Sequence, residues 1–197
     1  MMEASPLIGR ITRCSTRGFV GAIRLPEPDM PTFGSYCKAS AQQGQSQVVG
    51  LIYDIAIEDD EFTRQVATAE DPPIEQVADQ QIVRTVPIEV SALAIGYLRD
   101  GDYHQALPPQ PPLTLARIYS LNPEEILAFT ERLDFLPLIL TATTIPVDEL
   151  LIAALRGAAL VRPESERNRF LIEAGRACAR FMTQDLVRLE NILRNVA

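Results

Sequence analysis

Few residues in this 197-residue chain are of types that do chemistry, and their spacing limits what they could do. The only lysine, Lys38, is followed by Ala39 in a β-type run. It lacks the Gly-x-x-x-x-Gly-Lys-Ser/Thr frame whose backbone amides cradle phosphates, so neither nucleotide hydrolysis nor tight ATP binding is expected. The only histidine, His104, stands in proline-rich surroundings with no Ser or Cys nucleophile motif beside it, and reads as a linker residue rather than a triad member. Cys14, Cys37 and Cys178 are odd in number and far apart, in strand, strand and helix patterns. That spacing fits neither a zinc site nor a disulfide framework, and buried reduced thiols are expected. The run Glu58-Asp59-Asp60-Glu61 clusters carboxylates, but it lacks the alternate spacing and glycine of a calcium loop and reads as a solvated charge run. No catalytic residue, metal ligand or cofactor site is expected. A hydrolase would need polar residues converging from distant positions.

Charge points the same way. A net charge of −8 with a pI near 4.7 works against the whole chain gripping nucleic acid, which rests on neutralising phosphates. Arginine supplies nearly all the positive charge, which suits fixed ion pairs and interfaces. In the last third Arg162, Arg167, Arg169, Arg176, Arg180, Arg188 and Arg194 alternate with Glu164, Glu166, Glu173, Asp185 and Glu190, the pattern of an ion-paired or solvated helix face rather than a DNA-binding stripe. No apolar run approaches the roughly 18 residues of a spanning helix, and the longest, Phe135 to Ala142, contains Pro137. The start, Met1 to Pro6, lacks the basic and apolar regions of a signal peptide. A cytoplasmic chain with no membrane association is expected.

The elements that must position these residues fall into two kinds. From Ile8 to about Tyr97 short β-type runs alternate with turn residues: Gly9 to Cys14, Gly18 to Leu25, Ser35 to Ala39, Val48 to Ile57 and Val83 to Tyr97. Pro26, Pro28, Asp29 and Pro31 force one loop, the polar stretch Ser40 to Gln47 another. Phe62 to Gln81, with Pro72-Pro73, reads as a long excursion with a helical turn at most. Residues 104–113, containing Pro108-Pro109-Gln110-Pro111-Pro112, form the best linker in the chain. Beyond it the period becomes helical. Asn122-Pro123-Glu124-Glu125 is a helix start with N-cap, proline at the first helical position and acids facing the dipole, and Pro146-Val147-Asp148-Glu149 behind Thr144 opens another through Leu160. Glu164 to Asn195 reads as one long helix or a broken pair with an apolar stripe from Phe170 to Leu193. The expectation is an α+β chain of segregated domains: a small closed or partly closed N-terminal β-barrel over 1–103, a proline-rich linker over 104–113 and a C-terminal α-helical domain over 114–197. Limited proteolysis is expected to cut first in the linker or the excursion and leave a folded barrel.

Gly9-Arg10-Ile11, Phe33-Gly34-Ser35-Tyr36, Val49-Gly50-Leu51, Ile95-Gly96-Tyr97-Leu98 and then the proline run follow one another in an order that resembles the HAS-barrel family. That module is shared by HerA-type DNA translocases and the N-terminal barrels of ATP synthase subunits; here the ATPase domain is missing. The resemblance implies a non-catalytic assembly or adaptor module, with a HerA-type ATPase, an associated nuclease or further copies of this chain as partner. The alternative is a small barrel that binds nucleic acid. Phe33 and Tyr36 are candidate partner contacts at the barrel rim, although the same turn also reads as one whose glycine supplies the backbone angle and whose aromatics fill the barrel end. Leu186 and Leu189 are candidates on the final stripe, which runs longer than a small domain needs.

Overall fold

The computed structural model describes residues 5–23, 31–57, 68 and 88–196. Arg24 and Leu25, the loop residues Pro26, Pro28 and Asp29, the acidic run 58–61, the excursion apart from Thr68, and Val83 and Val86 lie outside these residues.

The strands are β1 (Leu7–Ser15), β2 (Gly18–Ile23), β3 (Tyr36–Ala41), β4 (Ser46–Ile57), β5 (Ile88–Arg99), β6 (Asp102–His104) and β7 (Arg117–Ser120), all paired antiparallel. They run in the order β2-β1-β7-β3-β4-β5-β6, and β2 also pairs with β5 from Gly18↔Leu93 to Ile23↔Ile88. Six strands thus close into a barrel that leaves no open edge between them, and β6 extends β5 as a hairpin arm. Alternation along β4 and β5 decides the two faces. Val48 and Ile52 with Val90, Ala92 and Ala94 point into the barrel, where they meet Ile11, Phe19, Cys37, Ala39 and Ile118. The small residues among them fit a narrow barrel interior. Register shifts at Val49/Gly50 and Ile52/Asp54 bend the long strand, and Gly50 sits at the first of these, where a Cβ would meet the Leu93 carbonyl oxygen and the Phe19 ring at 3.2 Å. Curvature is the role its place in the run anticipates.

The opposite face of the same strands carries the helices. These are α1 (Pro123–Phe129), α2 (Leu136–Leu140), α3 (Val147–Leu160), α4 (Glu164–Phe181) and α5 (Leu186–Val196). Tyr36, Val49, Leu51 and Ile95 of the barrel wall share one buried cluster with Phe129, Phe135, Leu151, Leu155 and Ala158 of the helices. The barrel wall is therefore also the floor of the helical core. No helix among the described residues is long and apolar enough to cross a membrane.

The first helix begins as its sequence dictates. Asn122 Oδ1 accepts from the Glu125 amide at 2.9 Å, and Glu125 Oε2 accepts from the Asn122 amide at 3.0 Å, a complete capping box. At α3 the cap position is Pro146, which offers no side-chain acceptor, so Thr144 lies ahead of the helix start without capping it. The final stripe is a broken pair, interrupted at 182–185 between α4 and α5.

One strand ends on the first residue that the sequence reads as linker, and another lies within the stretch read as helical domain. β6 ends at His104, and β7, in the stretch 114–197, fills the gap between β1 and β3. The proline run is fastened to the barrel: Pro112 bridges Ala41, the Leu113 amide donates to the Ser40 carbonyl at 3.0 Å, and Cys14 Sγ donates to the Pro112 carbonyl at 3.1 Å. Prolines cannot donate to a ladder, which makes the run read as a spacer; it still accepts, and it delivers a barrel strand. A cut within 104–113 would separate β7 from the strands it pairs with.

Candidate functional site

The four residues expected at a partner surface divide evenly. Phe33 is exposed, whereas Tyr36 is 3% exposed, its hydroxyl donating to the Ala154 carbonyl of α3 at 3.1 Å and its ring meeting Phe129 edge-on at 6.3 Å. Burial in this cluster holds the phenol far above its usual pKa, slightly offset by the Arg162 charge. Leu186 is 67% exposed, whereas Leu189 is buried in the core with Ile192 and Val196. Tyr36 and Leu189 thus serve the barrel–helix core, the first because the rim turn faces α3, the second because α5 turns that position inward. Around the α4–α5 turn the exposed apolar side chains are Phe181, Leu186 and Val187, the last 73% exposed. Phe181 lines a concavity of about 400 Å³ formed with Pro137, Leu140 and Arg188.

The junction is held by polar residues, among them Arg162, which the sequence places on an ion-paired or solvated helix face and the structure instead buries. Arg162, the C-terminal neighbour of α3, is 9% exposed and donates to the Ala158 carbonyl, to the Thr130 carbonyl at 3.0 Å and to Thr130 Oγ1 at 2.9 Å. Its guanidinium also lies 3.7 Å from the Phe170 ring centroid. No carboxylate pairs with it among the described residues. Its charge is met instead by carbonyls at the C-terminal ends of α3 and α1, where helix dipoles favour a cation. Desolvation pulls its pKa below the usual arginine value, opposed by Tyr36 and more distant glutamates. Gln105 does similar work: Nε2 donates to the Phe129 and Arg132 carbonyls and Oε1 accepts from the Phe135 amide at 3.1 Å. Lys38 pairs with Glu125, the capping-box residue of α1, tying β3 to the first helix. The chain's one lysine is therefore a structural clamp. His104 is not a loose linker residue either; its ring stacks on Tyr97 at 4.8 Å across the β5–β6 hairpin. Among the described residues no three His, Cys, Asp or Glu side chains are grouped to hold a metal ion.

The thiols differ in access. Cys37 and Cys178 are buried and free, Cys14 is half-buried and free. A small maleimide added to the native protein should modify Cys14 alone, and all three after unfolding, read by peptide mass spectrometry. Burial raises the Cys37 thiol far above its usual range and the Cys178 thiol to about 11. The folded chain then keeps protons that the unfolded chain releases above the ordinary thiol pKa of about 8.5. Stability is whole below that value and is lost as pH rises through the folded values, Tyr103, pushed up to about 12 by burial and then by Glu125, extending the decline. Urea midpoints should therefore fall steadily above about pH 9, and Cys178→Ala should flatten the lower part of that fall.

A larger concavity lies beside the β1–β2 hairpin. A groove of about 850 Å³ runs between the β1–β2 hairpin and residues 141–145, with Arg13 and Arg17 on one wall, Thr143 and Thr144 on the other, and Leu93 and Leu138 beneath. No protein-family model matches the chain, and no curated protein matches it. The class the geometry defines is thus structural: a closed six-stranded barrel with a helical cap built onto its β3–β4–β5 wall.

Proposed function

We propose that this chain is a non-catalytic assembly or adaptor module that holds a protein partner against its helical cap. The exposed side chains Phe181, Leu186 and Val187 near the α4–α5 turn, with Phe181 lining the concavity at Pro137 and Leu140, carry this reading, because uncovered apolar surface beside a socket is what a docking surface offers. The polar residues of the junction support it from the other direction: Lys38, Arg162 and Gln105 are engaged in holding helices, not aimed at a common reacting point. The resemblance to HAS barrels makes a ring ATPase of the HerA type, in a DNA-processing complex, the partner class to try first, in the cytoplasm. The module brings no nucleotide site of its own, and isothermal titration with ATP should show no micromolar binding.

The test is co-migration of the full chain with a purified HerA-type ATPase by size exclusion with light scattering. Wild type should shift to the mass of the complex, and Leu186→Asp with Val187→Asp should stay behind while unfolding at an unchanged temperature. Leu189 is unsuited to this experiment, since an acid in the core would unfold the helix it is meant to probe. A wild-type chain that stays monomeric alone and with the ATPase and co-purifies with no protein would overturn the reading.

A further inference from the structure

The groove beside the β1–β2 hairpin has its own chemistry. Among the described residues, Arg13 and Arg17 are the only charged ones on its lining, on a chain of net charge −8. Neither guanidinium has a hydrogen bond or ion pair among the described residues, unlike Arg10, Arg162, Arg167 and Arg188, which are committed to carbonyls or carboxylates. Thr143 and Thr144 leave their hydroxyls unspent on the facing wall, and the floor between is apolar. Two uncommitted arginines over an apolar floor, in an acidic protein, form a local cationic trough.

We propose that this groove binds an extended acidic segment of the partner protein, its carboxylates received by Arg13 and Arg17 and its intervening apolar side chains laid on Leu93 and Leu138. The proposal rests on the adaptor reading and adds a second contact to it. An extended chain alternates its side chains, which matches a trough whose rim is charged and whose floor is not. Carboxylates are favoured because a guanidinium fork donates two parallel hydrogen bonds to each, and the chain's net charge of −8 works against a ligand carrying many dispersed negative charges, such as a nucleic acid.

Cys14 lines the same groove and reports on it. The experiment uses the full chain and a fluorescein-labelled peptide of alternating glutamate and leucine. Anisotropy should rise and saturate at low salt, and Arg13→Glu with Arg17→Glu should weaken binding at least about tenfold, with the thermal transition unchanged as a check on folding. Bound peptide should also slow maleimide modification of Cys14. Equal binding by the charge-reversed variant, or unhindered Cys14 in the presence of saturating peptide, overturns the proposal. So does protection of Cys14 by inorganic phosphate or by single-stranded DNA where the peptide gives none, which would assign the groove to a phosphate-bearing ligand. Co-migration of the charge-reversed variant with the ATPase as strongly as wild type would sink the groove contact and leave the adaptor reading standing. Peptide binding with no partner for the helical face would do the reverse.

Discussion

Arg162→Ala should lose about 3 kcal/mol of folding stability, lowering the thermal midpoint by roughly 10 °C in a chain of this size. The side chain satisfies two main-chain carbonyls and the Thr130 hydroxyl inside the core, and it covers the Phe170 ring. Truncation leaves those acceptors without donors in a place water reaches poorly, and opens a space the length of the side chain. Arg162→Lys separates charge from geometry. An ammonium keeps the attraction to the helix ends but cannot span Ala158 and Thr130 with a planar fork, so it should recover less than half of the loss. Urea unfolding with matched slopes for the three proteins measures both differences. A loss below about 1 kcal/mol for the alanine variant would mean that water replaces the clasp freely.

Gly34→Ala should cost about 3 kcal/mol through a different mechanism. Gly34 has φ +82°, a left-handed conformation that any Cβ disfavours. The added carbon would also fall 2.3 Å from the Ala153 Cβ of α3. The Gly34 amide is held to the Ile52 carbonyl at 2.7 Å, so the turn cannot retreat without breaking its bond to β4. Ala153→Gly removes the atom in the way while costing about 1 kcal/mol of helix propensity. The double variant should therefore be more stable than the sum of the singles predicts, by about 1–2 kcal/mol. Strict additivity would show that α3 does not press on the rim turn in solution.

What the sequence makes readable follows the range of the interaction. The apolar run Val48 to Ile57 and the N-cap, proline and acids of Asn122 to Glu125 are local patterns, and both elements form where they are read. β7 escapes because Arg117-Ile118-Tyr119-Ser120 offers one fully inward apolar residue, Ile118; its extended state comes from ladders to β1 and β3, about a hundred residues earlier. The helix α2 escapes because Pro137 reads as a breaker, yet it stands in the first turn, where its missing N–H is no loss. The rim motif read correctly as a turn, but which aromatic faces inward depends on α3, whose position over the barrel no local pattern encodes. Arg162 reads as one of a row of solvated or ion-paired arginines and Gln105 as part of the linker, since a clasp on two helix ends becomes visible only once both ends are placed.

The strand that closes the barrel has a bearing on how the chain is made. During synthesis β1 and β3 emerge early, and each waits with a bare edge until the ribosome has passed Ser120 and the strand that belongs between them is free. Closure then joins the earliest part of the chain to a late one, which slows folding and leaves the nascent sheet open to pairing with neighbouring chains. A gene fragment ending at the proline run would preserve that unfinished state permanently, whereas one extended through Ser120 would seal the ring and leave bare only the wall on which the helices settle.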